Sequence, residues 1–527
     1  MRSFSIVAMI FLVSITVPYL YAAQAGGVDY VFGGFLLNPI DGNTYLAKIY
    51  QGWRGDWRFT LPYTAQPGEG AYLYLFYLFL GHLARLLDLP LLWVFHVARV
   101  LGALVLLLAL RDFLRFSGLP AHWLGWAFAL AALGSGLGWL AFPAGIITAD
   151  FWVAEAYPFL SSFVNPHFAL GMALLLWILL PVVDPAEASG GEALDGAGHE
   201  QSVIEGRPNR NLPDWLAGLA ALFLSILSPF GVALALSVLA VLLIFSRDHL
   251  SRQRLLRRFA WVFICGVPLL LYDVWVVRTD PVLAGWNAQN LTPSPALWNV
   301  ALSLSPALLL ALVGGWQVIR RRSTSARTLL IWAVLGMALI SVPFGLQRRF
   351  MMGLFVPLVG LAGYGLQRMA GRPSRRTTMV AGLVVCLSVP TNLLLLGVAQ
   401  HGVSTHDLLL YLTRGEAQAM AWIETNTAWD ALVLCAPETG LFIPAHTGRR
   451  VLYGHPFETV DAEAQKAAVE QFYRSGDPAE AEEFLKAQAV DYVFFGPRER
   501  LLGTLPVIPG LGLVYDSAGV QIYQVAR

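Results

Sequence analysis

Charge is what this chain has least of. Only 13% of its 527 residues are Asp, Glu, Lys or Arg, against roughly 25% in soluble domains, so most of the chain is dissolved in a bilayer. The charges nearly cancel, leaving a net +1. Nothing there supports nucleic-acid binding, which needs a basic face. Cysteine is scarce as well. Cys265 and Cys386 fall in apolar runs and Cys435 in a polar tail, which argues against a disulfide framework. The centres of the apolar runs are almost free of ionisable groups, and the chain shows no repeated halves. A transporter needs polar groups near the midplane, usually in repeated halves, so transport is disfavoured.

Apolar sequence is abundant, at 57%. Stretches of spanning length lie at about 4–23, 91–110, 121–143, 166–183, 259–276, 298–318, 328–345, 351–366 and 377–399. The first ends in Ala23-Gln24-Ala25, which resembles a cleavage site, but its length reads as an uncleaved anchor. A longer run, 215–246, is interrupted by Ser228-Pro229-Phe230-Gly231 and reads as two short helices forming a hairpin.

Arginine sets the topology. If 71–88 crosses the membrane, the clusters at 247–258, 320–327 and 368–376 all face outward, against the positive-inside bias. If 71–88 lies flat on the outer face, every cluster falls inside with Arg2. His82, Arg85 and Asp88 suit such an interfacial helix. The expectation is an α-helical polytopic membrane protein of about eleven spans with a cytoplasmic N-terminus and outer juxtamembrane helices. The membrane domain runs over 1–400. The polar, Gly-rich stretch 184–213 reads as an inner linker. Residues 401–527 read as a small extracytoplasmic α/β domain, with helices at 414–426, 462–474 and 478–488 and strands at 432–435, 492–495 and 520–525. Its polar loops, Pro437-Glu438-Thr439-Gly440 and Gly454-His455-Pro456, read as turns.

The outer segments hold the chemistry. Asp41, in Asn38-Pro39-Ile40-Asp41-Gly42-Asn43-Thr44-Tyr45, has lipid on one side and water on the other. Its plainer reading is an Asx turn, or an N-cap for a helix starting near Thr44. Lys48, seven residues on, shares its helical face and can pair with it or contact phosphate. Asp150 and Glu155 lie in the second outer loop. His96 and Arg99 lie in the outer half of their span, His167 and Asp273 near outer span ends. Arg348 and Arg349, before Phe350, sit at an outer junction. Paired guanidiniums there suit a phosphate, or they snorkel to head groups.

Together these positions resemble the GT-C class of polyprenyl-phosphate-dependent glycosyltransferases, in particular the bacterial branch related to the family 39 mannosyltransferases and aminoarabinose transferases. The resemblance rests on Asp41 and Tyr45 after the first span, the flat 71–88, Ala98-Arg99-Val100-Leu101-Gly102-Ala103 opening the next span, and Arg348-Arg349-Phe350. Relatives often pair acids in the first loop, whereas Gly42 follows Asp41 here. Their Pro-Pro before the juxtamembrane helix is replaced by Pro67-Gly68-Glu69-Gly70, so that Glu69 stands where it can supply the second acid.

The resemblance implies transfer of a hexose or pentose from a polyprenyl-phosphate donor to a lipid, glycan or protein acceptor outside the cell membrane, with inversion. Asp41 would serve as base, with Asp150 or Glu155 as second acid. Arg348 and Arg349, helped by Lys48, Arg99 and His167, would bind the donor phosphate. A divalent cation (Mg or Mn) could share that task, and no other cofactor is called for. The alternative is a non-catalytic membrane protein whose outer domain binds a partner or glycan.

Overall fold

The computed structural model describes residues 2–181, 213–321, 324–370 and 373–526. The expected linker, but for Pro213, lies outside them. The chain opens with α1 (Arg2–Ala25), then β1 (Tyr30–Phe32), α2 (Pro39–Arg54), α3 (Leu75–Leu87), α4 (Leu91–Phe116) and α5 (Ala121–Leu133). A loop segment with the short α6 (Ala149–Trp152) and α7 (Pro158–Val164) leads into α8 (Pro166–Ile178).

Among the described residues, five helices are long and apolar enough to cross a membrane: α1, α4, His249–Thr279, Gln347–Met369 and Arg375–Ser404. A bent pair, Leu297–Leu304 with Ala307–Arg321, makes a sixth if counted as one span. The protein is therefore multi-pass. Hydropathy predicts about eleven spans, and the difference lies in segments that glycine or proline cuts short. Among them, α5 stops before Gly134, and the 215–246 run breaks at Ser228–Pro229 into Asp214–Leu227 and Pro229–Phe245.

Helix α3, at 13 residues, rises about 20 Å and is too short to cross the core on its own. It packs against α2. Their backbones meet at Gly52 and Gly81, where a methyl would fall on the carbonyl oxygens of Leu78 and Ile49. Glycine lets the two helices approach backbone to backbone, which fixes the rotation of α2 and hence the direction of its first turn.

The chain beyond Ser404 folds around a five-stranded mixed sheet of order β4-β3-β5-β7-β6. Its strands are β3 (Leu432–Leu434), β4 (Arg450–Val451), β5 (Tyr492–Phe495), β6 (Leu511–Ser517) and β7 (Val520–Val525). The interior strand β3 pairs in parallel with β4 and β5 and is buried throughout, as a doubly covered strand must be. Val433 packs with Ile423 and Phe442 on one face, Leu432 and Leu434 with Val469 and Phe472 on the other. The N-terminal segment joins this unit directly: β1 pairs antiparallel with β2 (Tyr411–Thr413). That pairing, β4, β6 and the helix Pro437–Thr447 escape the sequence patterns because each is short or opens on turn-like residues.

Gly52→Ala should lower the thermal midpoint of the detergent-solubilised protein, the overpacking costing about 1–3 kcal/mol. Gly397→Ala, where a methyl meets nothing within 4 Å, should leave it unchanged or higher.

Candidate active site

Helix α2 starts at Pro39, whose fixed φ suits the first helical position. Asn38 precedes it in the left-handed region (φ 51°), a conformation asparagine tolerates. Asp41 thus lies within the first turn instead of capping a helix at Thr44. Its anion sits at the positive end of the α2 dipole, with 38% of its side chain open to solvent. The Asn38 amide donates to Oδ2 at 2.5 Å, and His455 Nε2 stands 3.4 Å from Oδ1. Enclosure by protein raises the Asp41 pKa, but the His455 contact, the Asn38 amide and the Lys48 charge outweigh it. The carboxyl is held below its ordinary value of 3.8. Gly42 leaves no room for a paired acid, because a Cβ there would run into the Phe35 ring.

The arginine turn, Gln347–Met351, lies close enough for its charges to reach the Asp41 end of α2. Arg348 lies within electrostatic range of Asp41. Charges on Asp41 and Arg349 both act on the hydroxyls of Tyr45 and Tyr74. Arg348 Nε is 3.6 Å from Glu155 Oε1, and its guanidinium lies over the Trp152 ring at 4.9 Å. The Arg349 side chain makes no hydrogen bond or ion pair among the described residues; its guanidinium is half-buried and lies 5.9 Å from the Phe230 ring.

Tyr45 stacks on Tyr77 at 4.4 Å between centroids, and Tyr77 Oη meets His167 Nδ1 at 2.6 Å. These rings wall the recess beside Asp41. Asp41 and Tyr45, Glu155, His167, and the Arg348–Arg349 pair therefore approach one another from four separated stretches of sequence.

The remaining candidates lie elsewhere or are already engaged. Lys48 is fully buried and paired with Glu458 Oε1 at 2.6 Å, so its ammonium is not free for phosphate. Thr44 Oγ1 donates to the other Glu458 oxygen at 2.5 Å, and the Tyr74 ring lies 4.3 Å from Lys48 Nζ. Arg99, 1% exposed, donates to the Ile15 and Ser162 carbonyls and packs on Tyr19, stapling α1, α4 and α7. Asp150 is buried and accepts from Gly138 N, Thr148 Oγ1 and Thr391 Oγ1, tying its loop to Pro390–Ser404. Glu69 is exposed in its loop.

The donor set at Asp41 does not fit a divalent cation. Mg and Mn take about six oxygen-rich ligands. Here one carboxylate meets one imidazole and an amide NH₂, and among the described residues no three His, Cys, Asp or Glu side chains converge as a ligand set.

Sequence reasoning missed Asn38, His455 and Glu458. The last two reach α2 from a loop that reads locally as a turn, and no local pattern reports a partner at the other end of the chain.

No family model and no curated protein matches the sequence. Solved structures do. An oligosaccharyltransferase from Archaeoglobus fulgidus superposes with a TM-score of 0.56 at 13% identity, over 100% of this chain and 74% of its own. The arabinofuranosyltransferase AftD from Mycobacteria gives 0.54 at 16% identity, over 100% of this chain and 40% of its own. ArnT from Cupriavidus metallidurans gives 0.51 at 14%, over 98% and 97%. The fold is that of the GT-C glycosyltransferases. Within that fold, Asp41 lies on α2 and the arginine pair in the turn before the helix Phe355–Met369.

Lys48→Met should cost about 3–5 kcal/mol by stranding Glu458 in the interior. The double variant Lys48→Met/Glu458→Gln should recover much of that loss. Thermal unfolding of the purified protein reads both; equal destabilisation by single and double variants would contradict the coupling.

Proposed function

We propose that the protein is a membrane glycosyltransferase that moves a sugar from a polyprenyl phosphate to an acceptor hydroxyl on the extracytoplasmic face. The reading is carried by the Asp41 carboxylate, held by Asn38 with His455 beside it, and the unpaired Arg349 side chain, whose charges act on the same two tyrosines, Tyr45 and Tyr74. One archaeal protein of this fold, AglB from Archaeoglobus fulgidus, has been solved with a dolichol-phosphate and an inhibitory peptide, which supports a lipid-phosphate ligand here. By the arginine distribution, the N-terminus is cytoplasmic and the tail domain outside.

Arg349 and Arg348 receive the donor phosphate, guanidinium against phosphate oxygens. Glu155 keeps Arg348 in place, which makes it a supporting group instead of a second base. The acceptor oxygen attacks the anomeric carbon as the sugar–phosphate C–O bond breaks. The hydroxyl proton passes to Asp41, and the lipid phosphate leaves with one more negative charge, offset by the arginines. A carboxylate of low pKa serves because the proton leaves late, once bond formation has made the hydroxyl strongly acidic. In-line attack from the face opposite the phosphate inverts the anomeric centre. No step is assigned to Mg or Mn, since the donor set at Asp41 does not fit one.

The test is a panel of radiolabelled polyprenyl-phosphate sugars incubated with membranes carrying the protein. Asp41→Asn should reduce transfer by about 10²–10⁴-fold, and Arg349→Ala should raise donor KM. Arg252→Ala, remote and exposed, should do neither. Because Asp41 is held below 3.8, kcat should stay level as pH falls from about 7 to about 5. Undiminished transfer by Asp41→Asn would refute the assignment.

A further inference from the structure

The loop following β4 carries a histidine that the reaction above does not use. His455 is 2% exposed, and its Nδ1 accepts two backbone N–H groups, from Phe457 and Glu458, each at 3.0 Å. A ring nitrogen that accepts must present its lone pair, so the ring proton sits on Nε2. Nε2 is a buried nitrogen with no hydrogen-bond partner among the described residues, and Asp41 Oδ1 stands 3.4 Å from it. The loop's own backbone thereby sets the tautomer.

We propose that His455 is a positioning residue, supplied by the tail domain, whose Nε2–H holds the Asp41 carboxylate in its working orientation. The inference rests on the role of Asp41 proposed above. Asn38 donates to Oδ2 and the unpartnered His455 Nε2 stands 3.4 Å from Oδ1, so a small approach of the two gives each oxygen one donor and restrains rotation about the Cβ–Cγ bond. The free lone pairs then point at the recess. Contacts of this length in a ligand-free site commonly tighten when substrate binds.

The loop is fixed on two further sides. Glu458 holds Lys48 of α2. Gln289, at the end of the outer helix Pro281–Gln289, donates to the Thr459 carbonyl, and its Oε1 accepts from Asp461 N at 3.2 Å. Three residues on, Thr292 N donates to the Gly345 carbonyl at 2.7 Å, and Arg348 N donates to the Thr292 carbonyl at 3.2 Å. The loop that sets the acid is thus tied through one short strap to the turn that carries the arginines.

Two substitutions separate the roles of the two ring nitrogens. His455→Asn keeps an acceptor for the loop N–H groups and deletes the donor to Asp41. His455→Gln keeps a donor at the far end and forfeits the loop acceptor. With full-length protein and the donor found in the panel, His455→Asn should lower kcat on the order of 10²-fold. Its donor KM and thermal midpoint should not change. His455→Gln should restore most of kcat. Nitrogen-15 histidine NMR of the full-length protein supplies a readout independent of activity. The signal lost in His455→Asn should belong to an Nε2-protonated ring, and it should shift in Asp41→Asn. Normal kcat in His455→Asn beside an inactive Asp41→Asn would overturn the inference alone, as would an Nδ1-protonated ring. An active Asp41→Asn would instead overturn the reading of Asp41, and the NMR signal would then decide the contact.

Discussion

The Lys48–Glu458 pair is the contact on which the arrangement depends. An ammonium with no exposure to water and a carboxylate nearly as buried each lose several kcal/mol of hydration. The loss is offset only because the pair is close, Thr44 bridges it, and the Tyr45, Phe59 and Tyr74 rings turn their faces to the cation. Such a pair has one good geometry. It therefore sets the register between α2, which carries the acid, and the tail loop, which carries His455. Tyr50, bonded to Glu424 at 2.6 Å, fixes the same interface further along α2.

On its other side α2 meets α3 through paired glycines, so it is held between that short helix and the tail helix Pro437–Thr447. A first-turn carboxylate on a helix gripped from both sides has little freedom, and its position costs little further ordering when substrate arrives. The arginine turn is positioned separately. Gly353 N bonds the Glu155 carbonyl, and Glu155 in turn meets Arg348, so the second outer loop and the late span brace one another. Asp41 and the arginine pair come from distant parts of the chain, α2 and the turn before the helix Phe355–Met369.

Much of this was legible in the sequence. Low charge, apolar runs and arginine placement identify a polytopic helical protein, and the tail's alternating patterns give β3, β5, β7 and three of its helices nearly to the residue. Asp41, Glu155, Arg348 and Arg349 stand out because charge is rare near the apolar spans. The same signal also picked out Arg99 and Asp150, whose charges serve packing: one satisfies helix carbonyls, the other three donors in a loop. Sequence position alone cannot separate a buried charge that staples helices from one that faces water. His455 and Glu458 were hidden for the opposite reason, since in a polar tail neither is conspicuous and their value lies wholly in a long-range contact.

The central claim is that Asp41 and the Arg348–Arg349 turn serve a single lipid-phosphate substrate. Cryo-electron microscopy of the full-length protein in nanodiscs loaded with a polyprenyl phosphate tests it directly. The account predicts phosphate density against the Arg349 guanidinium, opening onto the recess beside Asp41 and Tyr45. Density for the phosphate at another face of the protein, with the Arg349 side chain unmoved and vacant, would contradict it.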